Sequence, residues 1–161
     1  MSVMFRNLTR KNKEISAAEC INLLKNEKRG VLSVQGDNGY PYGTPMNHFY
    51  DEENGRIYFH CGKTGHRLDS LKRDNKVSFC VHNNGVSVNG SWVLEVKSVV
   101  VFGKIQLVED AEIIESVCRK LSYKFTSDSR YIENEIKNYA HETLVLELIP
   151  EHICGKSVTE S

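Results

Sequence analysis

The chain has 161 residues, 40% of them hydrophobic, with 21 Lys and Arg against 21 Asp and Glu and therefore no formal net charge at neutral pH. A chain of this length buries roughly 70% of its unfolded surface around one core, so a single domain spanning residues 1–161 is expected. Balanced, interspersed charge argues against nucleic acid as a partner. No apolar run approaches the roughly 18 residues that cross a bilayer, which argues against a membrane. Met1 to Asn7 lacks the apolar stretch of a signal peptide, so a cytoplasmic protein is expected. The five cysteines form an odd set with no C-x-x-C pair and read as free thiols rather than a disulfide framework.

Ser16-Ala17-Ala18-Glu19 has the form of a capping box, and Ala17, Cys20, Leu23 and Leu24 then recur at helical spacing, predicting a helix to about Lys28. After Gly30 the period changes. Val31, Leu32 and Val34, the turn Asp37-Asn38-Gly39 and the segment Tyr40 to Tyr50 predict a hairpin whose second strand is weakened by Pro41 and Pro45, neither of which donates a hydrogen bond. A turn at Asp51 to Gly55 leads into a third strand, Arg56 to Cys61, and tight turns between the three predict an antiparallel meander.

A short helix is expected from His66 to Asp74, with Leu68 and Leu71 on one face, followed by an alternating strand, Lys76 to His82, and the turn Asn83-Asn84-Gly85. The longest β-rich stretch runs from Trp92 to Val108, with Gly103 as a bulge or bend and Trp92 as a core or interface residue. Asp110 caps a helix carrying Ile113, Ile114, Val117 and Leu121, and a further helix runs from about Asp128 to Ala140. Thr143 to Ile149 reads as a last strand, ended by Pro150. Strands joined mainly by turns, without βαβ alternation, predict a mainly β (α+β) fold: an antiparallel sheet or small barrel with peripheral helices.

The most informative stretch for chemistry is Ile57 to Leu71, a strand, a glycine-flanked loop bearing cations, and a helix start. Free N–H groups at a helix N-terminus stabilise an anion, and Lys63, His66 and Arg67 add charged donors. At about 1.5–3 kcal/mol per charged hydrogen bond, two or three secure a phosphomonoester. Gly62-Lys63-Thr64 is no P-loop, because that motif requires glycine five positions earlier and residue 57 is Ile. A solvated turn beside surface charges is the alternative for the loop. Cys80 and His82 share a strand face while His60 and Cys61 point oppositely, so no metal site is expected.

Tyr42 to Phe49, Ile57 to Leu71 and Lys97 to Lys104, in that order, resemble the FMN-binding split-barrel family, the pyridoxamine 5′-phosphate oxidase-like group, and more closely its nitroimidazole-resistance (Nim-type) branch. The resemblance covers most of the chain and implies a six-stranded antiparallel Greek-key split barrel. It places Thr44, Pro45, Met46 and Asn47 beside a flavin ring, His60 and Cys61 against the ring and ribityl chain, and Lys63, Thr64, Gly65, His66 and Arg67 around the phosphate. Ser98 and Val99 resemble positions that reach the same flavin from a second subunit, implying a homodimer with FMN at its interface. His60, and after it His48, resemble the histidine placed near the flavin for proton transfer; the other reading of either is a hydrogen-bonded structural residue.

The chain departs from the pyridoxamine phosphate oxidases in having His66-Arg67 for an Arg-Lys pair, and in lacking a C-terminal Trp- and Arg-bearing segment, so that substrate is not expected. The resemblance implies instead an FMN-dependent oxidoreductase passing electrons from NAD(P)H to a small-molecule acceptor, a nitroaromatic such as a 5-nitroimidazole or another flavin. The alternative is a non-enzymatic split barrel that holds a flavin or a haem.

Overall fold

The computed structural model describes residues 4–160. Eight strands form one antiparallel sheet: β1 (Arg29–Gln35), β2 (Pro41–Asn47), β3 (Phe49–Asp51), β4 (Arg56–Cys61), β5 (Lys76–His82), β6 (Val86–Ser87), β7 (Leu94–Val108) and β8 (Leu144–Glu160). Four helices decorate it: α1 (Ala17–Asn26), α2 (His66–Arg73), α3 (Ala111–Ser122) and α4 (Ser129–Tyr139). The order across the sheet is β2-β1-β5-β7-β8-β4-β3, with the two-residue β6 beside β7. The six principal strands of the expected split barrel are all present, β3 continuing β2 after a break.

The break dictates the shape. β2 and β3 occupy opposite edges of the sheet yet are separated in sequence only by His48, so the sheet must curl until its edges meet. The expected three-strand meander does not form: β1 pairs with β2 and β3 with β4, while β2 and β4 are not paired. His48 anchors the bend. Its ring is fully buried, its Nε2 lies 2.7 Å from the Leu24 carbonyl oxygen near the end of α1, and it meets Phe79 edge-on at 4.9 Å. Lys124 completes the join, its Nζ donating to the carbonyl oxygens of His48 at 2.7 Å and Glu27 at 2.8 Å.

The barrel interior is filled by alternate residues of the strands, with Leu32, Ile57, Phe59, Phe79, Val81, Val99, Val101, Leu146 and Leu148 at its centre and Leu24 of α1 packed against them. The Phe59 and Phe79 rings meet edge to face at 4.9 Å, a geometry worth about 0.5–1.5 kcal/mol beyond the area they bury. A second cluster lies outside the barrel, where Tyr58, Val108 and Val145 pack against Val117 of α3. Beside it Glu147, 6% exposed, accepts hydrogen bonds from Arg56 Nη1 at 2.6 Å, from the Tyr58 hydroxyl at 2.8 Å and from Gln106. These donors outweigh the effect of burial and hold its carboxyl below the usual range.

The caps form as expected: Ser16 and Glu19 make the reciprocal capping box, and Asp110 and Asp128 start α3 and α4. Pro150, however, does not end the last strand. β8 runs on to Glu160: Pro150 pairs with Gly103, and Glu151 is the extra residue at the irregularity between the Gly103–Pro150 and Phe102–His152 pairs. Gly103 is obligatory there, since a Cβ would lie 2.2 Å from the Ile149 carbonyl oxygen. Trp92 is not a core residue: it is 78% exposed in the turn before β7.

Burial, then the nearby Lys124 charge, lower the His48 pKa from 6.5 to about 4. Between those values the unfolded chain binds more protons than the folded one, so stability falls as the pH is lowered from 6.5 to about 4, by roughly 3 kcal/mol. His48→Gln retains an amide donor for Leu24 but cannot titrate. Urea unfolding of this variant at several pH values should show the dependence flattened across that window.

Candidate functional site

The curl leaves a slot. β2 gives one edge to β1 and has no strand partner on the other; β4 gives one edge to β8 and the other to β3 only as far as Tyr58. The ends of two strands, Thr44 to Asn47 and Phe59 to Cys61, therefore face the barrel's opening with unpaired edges, so their backbone groups there are open to a ligand.

The chain then delivers a helix start to this opening. Gly65 has φ +139° and ψ 168°, a conformation costly for a residue with a Cβ, and a side chain there would meet nothing within 4 Å. The requirement is one of backbone geometry, not of space. α2 begins at His66 with no side-chain cap, and Asp69 N–H makes the first bond back, 3.1 Å to the Gly65 carbonyl oxygen. The N–H groups of the first turn point out with the positive end of the helix dipole.

Arg67 lies in that first turn and reaches across the slot, its Nη1 donating to Thr44 Oγ1 at 2.8 Å, while its buried Nε has no partner. The Cys61 thiol lies close by; burial pushes its pKa up against the lowering effect of Arg67. Thr44, Cys61 and Arg67 are thus brought together from β2, β4 and α2.

Other predicted residues are engaged elsewhere. His66 stacks on Tyr42 at 4.1 Å, with its Nε2 3.5 Å from Asp37, whose carboxylate also accepts from Arg73 at 2.7 Å. Lys63 donates to the His141 carbonyl oxygen at 2.9 Å, and Thr64 is exposed. On β2, Met46 is buried in the core, Pro45 is exposed on the outer face, and the Asn47 side-chain oxygen accepts from Arg29 at 3.0 Å.

The two histidines expected near a ligand part company. His60 turns to the face of β4 opposite Cys61, into a pocket of about 230 Å³ under α3 and α4, and burial lowers its pKa. His48, by contrast, turns inward and has no exposed surface, so in this subunit it is a hydrogen-bonded structural residue with no route to a ligand in the slot. Ser98 and Val99 lie on β7, three places from β2 in the sheet, so neither joins Thr44 and Arg67 within one subunit. Ser98 is half-buried on the outer face beside His82, and the Val99 side chain is in the core.

Sequence reasoning missed Asp37, which links His66 to Arg73, and Arg29, which holds Asn47; both pairings join segments distant in sequence and carry no local signal. Set against the phosphomonoester of the implied FMN, the slot fits: it combines an uncapped helix start, a half-buried guanidinium whose buried Nε has no partner among the described residues, and open space at Gly62 and Gly65.

The model of the family described as pyridoxamine 5′-phosphate oxidase matches residues 16–157. Among solved structures, the chain is similar to a candidate 5-nitroimidazole antibiotic resistance protein from Bacteroides thetaiotaomicron (20% identity, TM-score 0.75, covering 91% of this chain and 87% of that one). It is also similar to a conserved hypothetical protein from Mycobacterium tuberculosis (17%, 0.78, 93% and 90%). A third is an FAD-binding protein from Mesorhizobium loti (19%, 0.65, 91% and 97%). No curated protein matches the sequence. At these identities the structural likenesses establish the fold.

Removing the Arg67 guanidinium should cost a bound phosphomonoester one or two charged hydrogen bonds. In a fluorescence titration with FMN, Arg67→Ala should bind about 10- to 100-fold more weakly than the wild type. Riboflavin, which lacks the phosphate, should bind the two proteins alike.

Proposed function

The chain belongs to the pyridoxamine 5′-phosphate oxidase family, and we propose that it is an FMN-dependent oxidoreductase, working as a homodimer, that passes electrons from NADH or NADPH to a small acceptor. The acceptor class we favour is a nitroaromatic, such as a 5-nitroimidazole, or a free flavin. The observation that carries this reading is the meeting of Arg67, with an unpartnered buried N–H, and the uncapped start of α2 at the unpaired edges of β2 and β4. The nitroimidazole-resistance description of one structural relative agrees with the acceptor class, and the FAD-binding description of another agrees with a flavin.

In this reading the α2 amides and Arg67 hold the phosphate, with Thr64, Gly65 and His66 around it. Lys63 reaches it only by leaving the His141 carbonyl. Thr44, Pro45, Met46 and Asn47 on one side and His60 and Cys61 on the other offer backbone groups to the ring's polar edge. Bound flavin would supply the hydride and single-electron chemistry, while the protein supplies orientation and exclusion of water. Neither expected histidine turns its ring into the slot of its own subunit, His60 facing the pocket under α4 and His48 the core, so His60 offers the flavin only its backbone and we assign proton handling to neither.

The second subunit is supported by the outer face of the sheet. Two adjacent rows cross five strands, Pro45, Val31, Cys80, Val100 and Cys154 in one and Gly43, Ser33, Ser78, Phe102 and His152 in the other, without an acidic or basic side chain apart from the one histidine. Val31 is 40% exposed within this face, and Ser98 lies in the next row. Phe5 covers Phe102 and His152 at one end of this face and Lys156 lies beside Ser98 at the other, but the uncharged strip between them suits a self-complementary contact, through which Ser98 and the Val99 backbone would reach the partner's slot.

The purified protein should carry, or take up, FMN with a flavin absorption band that NADH or NADPH bleaches and a nitroaromatic restores. Its mass in solution should be twice that of the chain, and Val31→Lys should shift it toward the monomer with loss of flavin. A colourless monomer that takes up no FMN would overturn the proposal.

A further inference from the structure

The face of β4 opposite the slot carries a second site. Its pocket, about 230 Å³, is walled by His60 at the end of β4, by Cys118 of α3, and by Tyr131, Glu135, Ile136 and Tyr139 of α4. Tyr131, Glu135 and Tyr139 are spaced i, i+4, i+8 and so form one stripe along α4. Ile136 and Cys118 supply apolar surface beside them, Ile136 buried and Cys118 half-buried.

The electrostatics of this pocket are one-sided. Glu135 is half-buried and makes no ion pair or side-chain hydrogen bond among the described residues; no Lys or Arg lines the pocket. Its neighbour on the helix, Glu133, is by contrast neutralised by Arg119 at 2.5 Å. The two tyrosines are 56% and 55% exposed, leaving ring faces open on either side of the carboxylate in sequence. His60, exposed at the end of β4 with its pKa shifted down by partial desolvation, presents an imidazole that accepts a hydrogen bond without adding repulsion to a cation when neutral.

Three classes of ligand are disfavoured by this lining. An anion finds no cationic partner. A metal ion lacks ligands: no group of three His, Cys, Asp or Glu side chains among the described residues is arranged to hold one. A neutral apolar molecule would strip water from Glu135 and return nothing. A small organic cation meets each demand at once, its charge against the carboxylate, its N–H groups toward the imidazole and its body against the phenol rings and Ile136.

We propose that this pocket binds a small protonated primary amine carried on an aromatic or short aliphatic body. The site lies on the opposite face of β4 from the slot, shares no side chain with it and rests on α3 and α4, so it does not depend on the flavin reading.

The test uses three isosteric probes on the full chain: 2-phenylethylamine, 2-phenylethanol and phenylacetate. Equilibrium dialysis gives affinity, and the His60 imidazole resonances, assigned with His60→Gln, report position. The amine should bind, shift the His60 signals, and bind about tenfold or more tightly than the alcohol or the acid. Glu135→Gln should remove that preference, and Tyr131→Ala and Tyr139→Ala should each weaken the amine several-fold, about 1 kcal/mol by the usual worth of a cation–π contact. Circular dichroism checks that each variant folds. Arg67→Ala should leave amine binding unchanged, so loss of FMN there and loss of amine in Glu135→Gln are separate results. Equal binding of all three probes, no binding of any, or undiminished amine preference in folded Glu135→Gln would each overturn the proposal.

Discussion

One constraint underlies the structure: the two edge strands of the sheet are consecutive in the chain and separated by a single residue. A flat sheet cannot satisfy that connection, so the sheet curls, and the strand that bridges its edges must give up pairing where it bends. His48 makes the bend tolerable by burying its ring between α1 and Phe79 and tying one nitrogen to Leu24. Lys124 satisfies the carbonyl that the bend leaves over, at the cost of its own hydration, and its pKa falls to about 8. The slot between β2 and β4 is the other face of the same compromise. It exists because the barrel is closed by covalent continuity there and not by a hydrogen-bonded ladder.

The slot's chemistry follows from what the chain places at its mouth. A helix that begins on glycine without a capping side chain has donors to spare, and Arg67 adds a fixed cation whose Nε is buried without a partner. Asp37 pairs with Arg73 and lies beside His66, so of the guanidinium groups of α2, Arg73 is tied to an internal carboxylate and Arg67 to the opening. β4 itself separates two environments. Cys61 turns toward Arg67, and His60, one residue earlier, turns to the neutral and acidic lining beneath α4. Strand alternation alone makes adjacent residues serve different sites.

The elements whose determinants are local were legible in the sequence. The Ser16–Glu19 box, the caps at Asp110 and Asp128, the bend at Gly103 and the helix after Gly65 each arise from side chains a few residues apart. The uncapped helix start on which the proposed phosphate site rests was legible for the same reason, because Gly65 and the helix that follows it are contiguous. What failed depended on partners. Pro150 reads as a strand end until Gly103 is known to lie opposite it, with the ladder shifting by one residue at Glu151 immediately after. The meander reading of β1, β2 and β4 assumed that turns alone decide pairing, whereas the bend at His48 sends β3 and β4 to the far edge. The contacts of His48 with Leu24 and of Lys63 with the His141 carbonyl have no local signal, since their partners lie far away in sequence.

The proposed FMN site requires the phosphate to lodge against the first turn of α2. The most direct measurement is a pair of ¹⁵N–¹H correlation spectra of the labelled protein, one with FMN added and one with riboflavin. FMN alone should move the backbone amide signals of residues 64–68, with both flavins perturbing the edges of β2 and β4. If those five amides respond equally to riboflavin, or do not respond to FMN at all, the phosphate is not held there and the central claim fails.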